Sequence, residues 1–212
     1  MTADDIEVFV QNSIRIRAGG KNIYIDPFKM KGEPKDADFI LITHDHYDHF
    51  SPEDIKKVAG GDTVLVVPEN MEGKARKAEG SVSRIVTVRP GETTVIEGLE
   101  LETVPAYNIL KPFHPKSAGW VGYILPADGK RIYIAGDTDA TKEAKAVKCD
   151  IALVPIGGTY TMDAKGAAEL INTICPETAI PVHYGSEVGK PEDGEVFRKH
   201  VKEQVGVEIK IK

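Results

Sequence analysis

The segment His44-Asp45-His46-Tyr47-Asp48-His49 places three imidazoles and two carboxylates in six consecutive residues. In extended backbone, side chains two positions apart project to the same side, so His44 and His46 can converge on one cation. Asp48 and His49 follow where the chain turns toward a helix, and they can face a second cation. Imidazole and carboxylate suit zinc, with manganese or iron as alternatives, and no thiolate is needed. Two cations held close together acidify a water from a pKa near 15.7 toward about 7, which provides a nucleophile at neutral pH without serine or cysteine. The chemistry this predicts is hydrolysis, with Asp48 placed to accept or relay a proton.

The elements around this loop are legible from pattern. Phe39-Ile40-Leu41-Ile42 is too short for a helix and reads as a buried strand ending at Thr43. After the loop, Ser51-Pro52-Glu53-Asp54 has the N-cap, N1 proline and acidic first turn of a helix start, and Gly60-Gly61 marks its expected end. Alternating residues on both sides of Gly19-Gly20 predict a hairpin. Thr63 to Pro68 predicts another buried strand and Gly73 to Gly80 a short helix, followed by strands through Asp137. Helix and strand then alternate, with helices over 141–147, 163–174 and 192–203 and a closing strand at 207–211. The strand, loop and N-cap beginning at Asp38 are matched by those beginning at Asp150, which suggests two similar halves. Two sheets with helices outside, packed in four layers, bury such segments naturally, and residues 1–212 are expected to form one domain.

Composition narrows the function. Hydrophobic residues make up 41% and charged residues 28% of the 212-residue chain. No stretch reaches the roughly 18 apolar residues of a membrane helix, and the N-terminal residues lack the basic start and apolar centre of a signal peptide, so a cytoplasmic location is expected. The net charge of -6 disfavours a nucleic-acid partner and leaves a small-molecule substrate as the expected one, with homo-oligomerisation open. Cys149 and Cys175 are too few and too far apart for a disulfide framework or thiolate site, and both read as reduced, buried thiols.

The segment THDHYDH resembles the H-x-H-x-D-H signature of the metallo-β-lactamase fold superfamily. IYIAGDT resembles the strand-ending motif whose aspartate, here Asp137, bridges two metals, and IPVHYG resembles the motif of the last histidine ligand, here His183. With the IDPF near the start, the chain looks most like small hydrolases related to L-ascorbate-6-phosphate lactonase. The resemblance implies an αββα sandwich with a two-metal site at one edge of the sheets, held by His44, His46, Asp48, His49, Asp137 and His183. It also gives Asp137 a place beside Asp48 in the chemistry. Substrate identity does not follow, because the superfamily hydrolyses lactones, esters, thioesters, amides and phosphoesters.

One position departs from the family pattern. Where a third first-site histidine is usual, the chain reads Pro105-Ala106-Tyr107-Asn108, and Asn108 is a poor zinc ligand. His114, six residues on, is either its replacement or a loop histidine between prolines. The first metal position is therefore expected to be weaker or differently coordinated than the second, with His114, a water or the substrate completing its shell. Asp26 is expected to orient a ligand histidine, or else simply to end a turn. Gly157 to Tyr160 could line the site, whereas Trp120 reads as core and His200 as surface. Two other functions remain on the same residues: a phosphodiesterase or nuclease, which would call for a basic groove or added module, and a metal-binding sensor or redox protein, which would call for a partner domain.

Overall fold

A strand covered on both faces reads as a near-continuous apolar run, and Phe39–Leu41, Val64–Val67 and Ile151–Val154 are such runs, buried at every position. In the computed structural model, which describes residues 2–211, thirteen strands form two sheets. The first contains β1 (Ile6–Val8), β2 (Ile14–Ala18), β3 (Lys21–Ile25), β4 (Ala37–Leu41), β5 (Ala59–Pro68) and β6 (Arg84–Val88) in sequential order. The second contains β7 (Thr93–Ile96), β8 (Leu99–Pro105), β9 (Val121–Ala127), β10 (Lys130–Ile134), β11 (Ile151–Pro155), β12 (Thr178–Val182) and β13 (Gly206–Val207).

The two faces of each central strand serve different cores. Phe39, Leu41, Val64 and Val66 of the first sheet meet Leu101, Leu153 and Ile180 of the second between the sheets. The intervening Ile40, Leu65 and Val67 point outward against Ile55 and Val58 of α1 (Pro52–Val58) and Ala75 of α2 (Glu72–Ala75). Ala152 and Val154 of β11 likewise point outward against α3 (Lys142–Ala146), α4 (Ala164–Ile174) and α5 (Asp193–His200). The result is the expected four-layer αββα sandwich.

Each sheet begins with antiparallel pairing and continues in parallel. The β2–β3 hairpin turns at Gly19-Gly20, both at positive φ, and β4, β5 and β6 add in parallel. In the second sheet β9 and β10 are antiparallel, and β11, β12 and β13 add in parallel. The strands β3 and β10 even share the pattern Lys-x-Ile-Tyr-Ile, so Asp26 and Asp137 leave corresponding strand ends. The strand-to-helix units after Asp38 and Asp150 are corresponding parts of the two sheets.

Several boundaries differ from the sequence reading. The helix capped by Ser51 ends at Val58, and Ala59 turns extended, so Gly60 and Gly61 lie in β5. Gly60 is needed there because a Cβ would sit 2.9 Å from the Lys35 carbonyl oxygen. The Gly73–Gly80 segment splits into α2 and a 3-10 stretch over Arg76–Ser81. The closing strand is shortened to Gly206–Val207, which pair in parallel with Thr178 and Ala179 of β12. Cys175 is exposed rather than buried, because it is the left-handed residue that ends α4. Among the described residues no helix is long and apolar enough to cross a membrane.

Candidate metal centre

Parallel strands leave their side-chain chemistry at their C-terminal ends, and the candidate residues all gather there. His44, His46, Asp48 and His49 follow β4, Asp137 follows β10, and His183 follows β12. Asn108 and His114 sit in the loop between β8 and β9. The two sheets approach each other at this edge, where the Val121 amide donates to the Thr43 carbonyl at 3.1 Å and the Tyr123 hydroxyl to the Ile42 carbonyl at 2.7 Å.

The ligand-type atoms fall into linked groups: His44, His46 and His114; His44, His49 and Asp137; and Asp48, His49 and His183. His44 Nε2 lies 3.1 Å from His46 Nδ1, and His49 Nε2 lies 3.1 Å from His183 Nε2. Asp48 Oδ2 is 3.3 Å from His183 Nε2 and 3.6 Å from His49 Nε2. Asp137 joins the groups, with Oδ2 at 3.3 Å from His114 Nε2 and 3.9 Å from His44 Nε2, and Oδ1 at 3.3 Å from His183 Nε2 and 3.5 Å from His49 Nε2. Two ligands about 2.1 Å from a tetrahedral ion stand about 3.4 Å apart, which is the scale of these separations.

The donor set fits a cation on a second ground. Asp137 Oδ1 and His114 Nε2 are buried and have no hydrogen-bond partner. Leaving such atoms unpaired costs about 1–3 kcal/mol each, more when charged, and a cation bound to each of them would remove the cost. Burial favours the neutral form of His44, and the neighbouring His49 adds to this, so its pKa falls well below the usual value. His49 goes the other way. Burial opposes its charge, but the carboxylates of Asp137, Asp26 and Asp48 outweigh that and push it up to about 9. Burial would raise Asp48 and Asp137, yet His183 and His49 hold Asp48 down at about 2 and Asp137 well below the carboxylate range. The centre is thus a block of strongly interacting groups.

Oxygen atoms behind the imidazoles decide which ring nitrogen faces inward. Asp26 is buried, and His49 Nδ1 lies 2.7 Å from its Oδ2, the position from which a carboxylate orients an imidazole. It also accepts from the Thr43 amide at 2.8 Å, the Thr43 hydroxyl at 2.6 Å and Asn12 Nδ2 at 2.7 Å. Thr43 Oγ1 in turn lies 3.0 Å from His44 Nδ1. Asn108 does not enter the clusters as a nitrogen ligand would; its Oδ1 is 2.9 Å from His114 Nδ1, and its Nδ2 donates to the Tyr160 carbonyl at 2.9 Å. His114 is buried and groups with His44 and His46 rather than being displayed on the loop surface.

Gln11, Thr43 and Asn12 were not evident as site residues. Gln11 is buried at positive φ in the turn between β1 and β2. Its carbonyl accepts from the His183 amide at 2.9 Å, and its Nε2 lies 3.3 Å from His183 Nδ1 and 3.5 Å from Asp48 Oδ2. Asp26 and His183 also have positive φ, which bulky residues hold only where surrounding contacts fix them. Trp120 is partly buried, and it packs on the rings of His44, His46 and His114 at 5.0, 5.0 and 5.5 Å rather than entering a core. Tyr160 lines the cavity over the centre, whereas Gly157 supports it from behind: a Cβ there would meet Val188 Cγ2 at 2.5 Å and the His183 carbonyl oxygen at 2.6 Å. His200 is exposed at the end of α5, bonded to the Val196 carbonyl.

Known proteins share this chain's sequence and fold. A sequence profile for the beta-lactamase superfamily domain matches residues 5–183. A UPF0173 metal-dependent hydrolase of Methanopyrus kandleri is 31% identical over 94% of this chain and 91% of its own, and one of Thermoplasma acidophilum is 36% identical over 79% and 78%. The crystal structure of a metal-dependent hydrolase from Parabacteroides distasonis superposes with a TM-score of 0.81 at 31% identity, over 98% of this chain and 93% of that one. Igni18, a metallo hydrolase from Ignicoccus hospitalis, shares the fold with a TM-score of 0.74 at 23% identity, over 96% and 93%. With its buried imidazole and carboxylate groups at the strand ends, the chain belongs to the metallo-β-lactamase superfamily and, within it, to the UPF0173 metal-dependent hydrolases.

Proposed function

We propose that the protein hydrolyses a small-molecule substrate at a two-cation centre, most simply a zinc centre, with manganese or iron as alternatives. His44, His46 and His114 would hold one cation, Asp48, His49 and His183 the other, and Asp137 would serve both. The carrying observation is the split of the Asp137 carboxylate, with one oxygen 3.3 Å from His114 Nε2 and the other 3.3 Å from His183 Nε2. Cations so placed supply Lewis-acid polarisation of the scissile group and an acidified water.

The remaining work falls to the protein's own side chains. Both Asp137 oxygens lie within 3.5 Å of imidazole nitrogens on the two sides of the centre, whereas Asp48 turns only Oδ2 to them. Asp48 is therefore the carboxylate placed to take a proton from the attacking water and pass it to the leaving group. Asp26, Thr43 and Asn108 fix three imidazoles, so the centre need not reorganise as charge develops. A nuclease or phosphodiesterase reading finds less support, since no lysine or arginine among the described residues lines the cavity.

Metal analysis paired with chelation tests this. Purified protein should carry two divalent cations per chain, lose hydrolysis of a lactone, ester, thioester, amide or phosphodiester panel on chelation, and recover it on metal addition. Asp137→Ala should lose both cations. Full activity of stripped protein, or normal metal content in Asp137→Ala, would refute the proposal.

A further inference from the structure

The cavity over the centre, of about 470 Å³, has a rim quite unlike its floor. Its floor holds His46, Asp48, Asp137 and His183, while its walls are Tyr47, Phe113, Tyr160 and Val188, with Glu187 at the edge. Phe113 and Tyr160 meet edge to face, with ring centroids 4.7 Å apart and planes at 86°. Both rings remain about 40% exposed (42% and 40%), and Tyr47 is 66% exposed. Three aromatic rings left wet around one mouth form an unsatisfied apolar surface in a cavity of the size that takes small molecules.

The rim is also held in place. Asn108 ties the Tyr160 backbone to the loop carrying Phe113, and the Lys111 ammonium reaches the Thr161 carbonyl across the same gap. Charge is arranged to exclude anions from this part of the cavity. Among the described lining residues none is Lys or Arg. Nearby Lys29 is paired with Glu187, and Lys111 with Asp139 at 3.1 Å. A phosphate or carboxylate located away from the scissile bond would therefore meet Glu187 and aromatic faces without a free cation to receive it.

We infer that Phe113, Tyr160 and Tyr47 form a specificity subsite for an uncharged apolar acyl or aryl group on the substrate, which selects neutral hydrophobic acyl compounds over those with a distal phosphate or carboxylate. The inference rests on the two-cation reading, and it assigns to the rim what that reading leaves open. Each methylene buried between the rings should strengthen binding by about fourfold if fully covered, and by about twofold if half covered.

Alkyl hydroxamates test the subsite whichever bond the enzyme cleaves, because the hydroxamate group anchors on the metals and the chain reports the rim. Affinities of zinc-loaded protein for acetohydroxamate, hexanohydroxamate and adipic monohydroxamate would be measured by calorimetry. Hexanohydroxamate should bind at least about tenfold tighter than acetohydroxamate, and the terminal carboxylate of the adipic compound should erase most of that gain. In Phe113→Ala and Tyr160→Ala the hexano-to-aceto ratio should fall about fivefold, with Phe113→Leu retaining most of it. Equal affinity for the aceto and hexano compounds, or a preference for the carboxylated chain, would overturn the subsite while leaving the metal centre standing. Failure to take up zinc, manganese or iron, or failure of the metal-loaded protein to bind acetohydroxamate at all, would instead overturn the two-cation reading and the subsite with it.

Discussion

Asn108 Oδ1 lies 2.9 Å from His114 Nδ1, so the residue at the expected ligand position holds another residue's imidazole instead of presenting its own donor to the centre. The His114 amide also donates to this oxygen at 3.1 Å, and the Asn108 amide donates to the His114 carbonyl at 2.7 Å. The loop from 108 to 114 closes on itself and places His114 Nε2 inward. Asn108→Ala should therefore lower the affinity of one cation by roughly 10–100-fold while leaving the other tight. His114→Ala should weaken the same cation further. Competition with a fluorescent chelator reads both sites, and unchanged affinities in both variants would remove His114 from the centre.

Asp54 links the first sheet's site loop to α1. Its carboxylate accepts from the Lys29 and Met30 amides at 2.9 and 3.0 Å, from Lys57 Nζ at 2.8 Å and from Ser51 Oγ at 2.8 Å. Burial would raise its pKa, but Lys57, Ser51 and the two amides outweigh this and lower it below the usual carboxylate value. A carboxylate depressed on folding adds stability above its unfolded pKa, near 3.9, and loses it as pH falls through the lower folded value. Asp54→Asn should cost about 2 kcal/mol in denaturant unfolding at pH 7, with the gap from wild type closing below about pH 4. A gap that persists unchanged at pH 3 would mean that the carboxylate's charge is not the source.

The two thiols should behave differently. Cys149 is partly buried, and burial, with Asp150 adding to it, pushes its pKa up to about 12 despite Arg131. Cys175 stands exposed at the end of α4. A disulfide-exchange reagent at pH 8 should modify one thiol rapidly, and Cys175→Ser should abolish that phase. The second thiol should react on the order of a thousandfold more slowly until the chain is unfolded, because its thiolate is scarce. Two equal fast phases would contradict the burial of Cys149.

Much of the architecture is written in local pattern. The apolar runs of β4, β5 and β11 can only be strands covered on both faces, and Ser51, Thr141 and Asp163 cap the helices that follow three of the loops. The crowding of His44, His46, Asp48 and His49 in one short loop announces metal chemistry, because no structural need gathers those side chains. Asp137 and His183 were legible through motif resemblance, but their convergence depends on two sheets meeting at one edge. What only the tertiary structure decided is how the separate loops complete one another. His114 reads from sequence as either a replacement ligand or a loop histidine, and its contact with Asn108 turns it inward; Gln11, from a turn with no chemical signature, comes to lie 3.3 Å from His183, 172 positions away. Trp120 reads as core because large aromatics usually are, yet its ring packs on the site imidazoles. Contacts of such long sequence separation arise from the packing of whole strands against one another, and a local pattern carries no record of which loop that packing brings opposite.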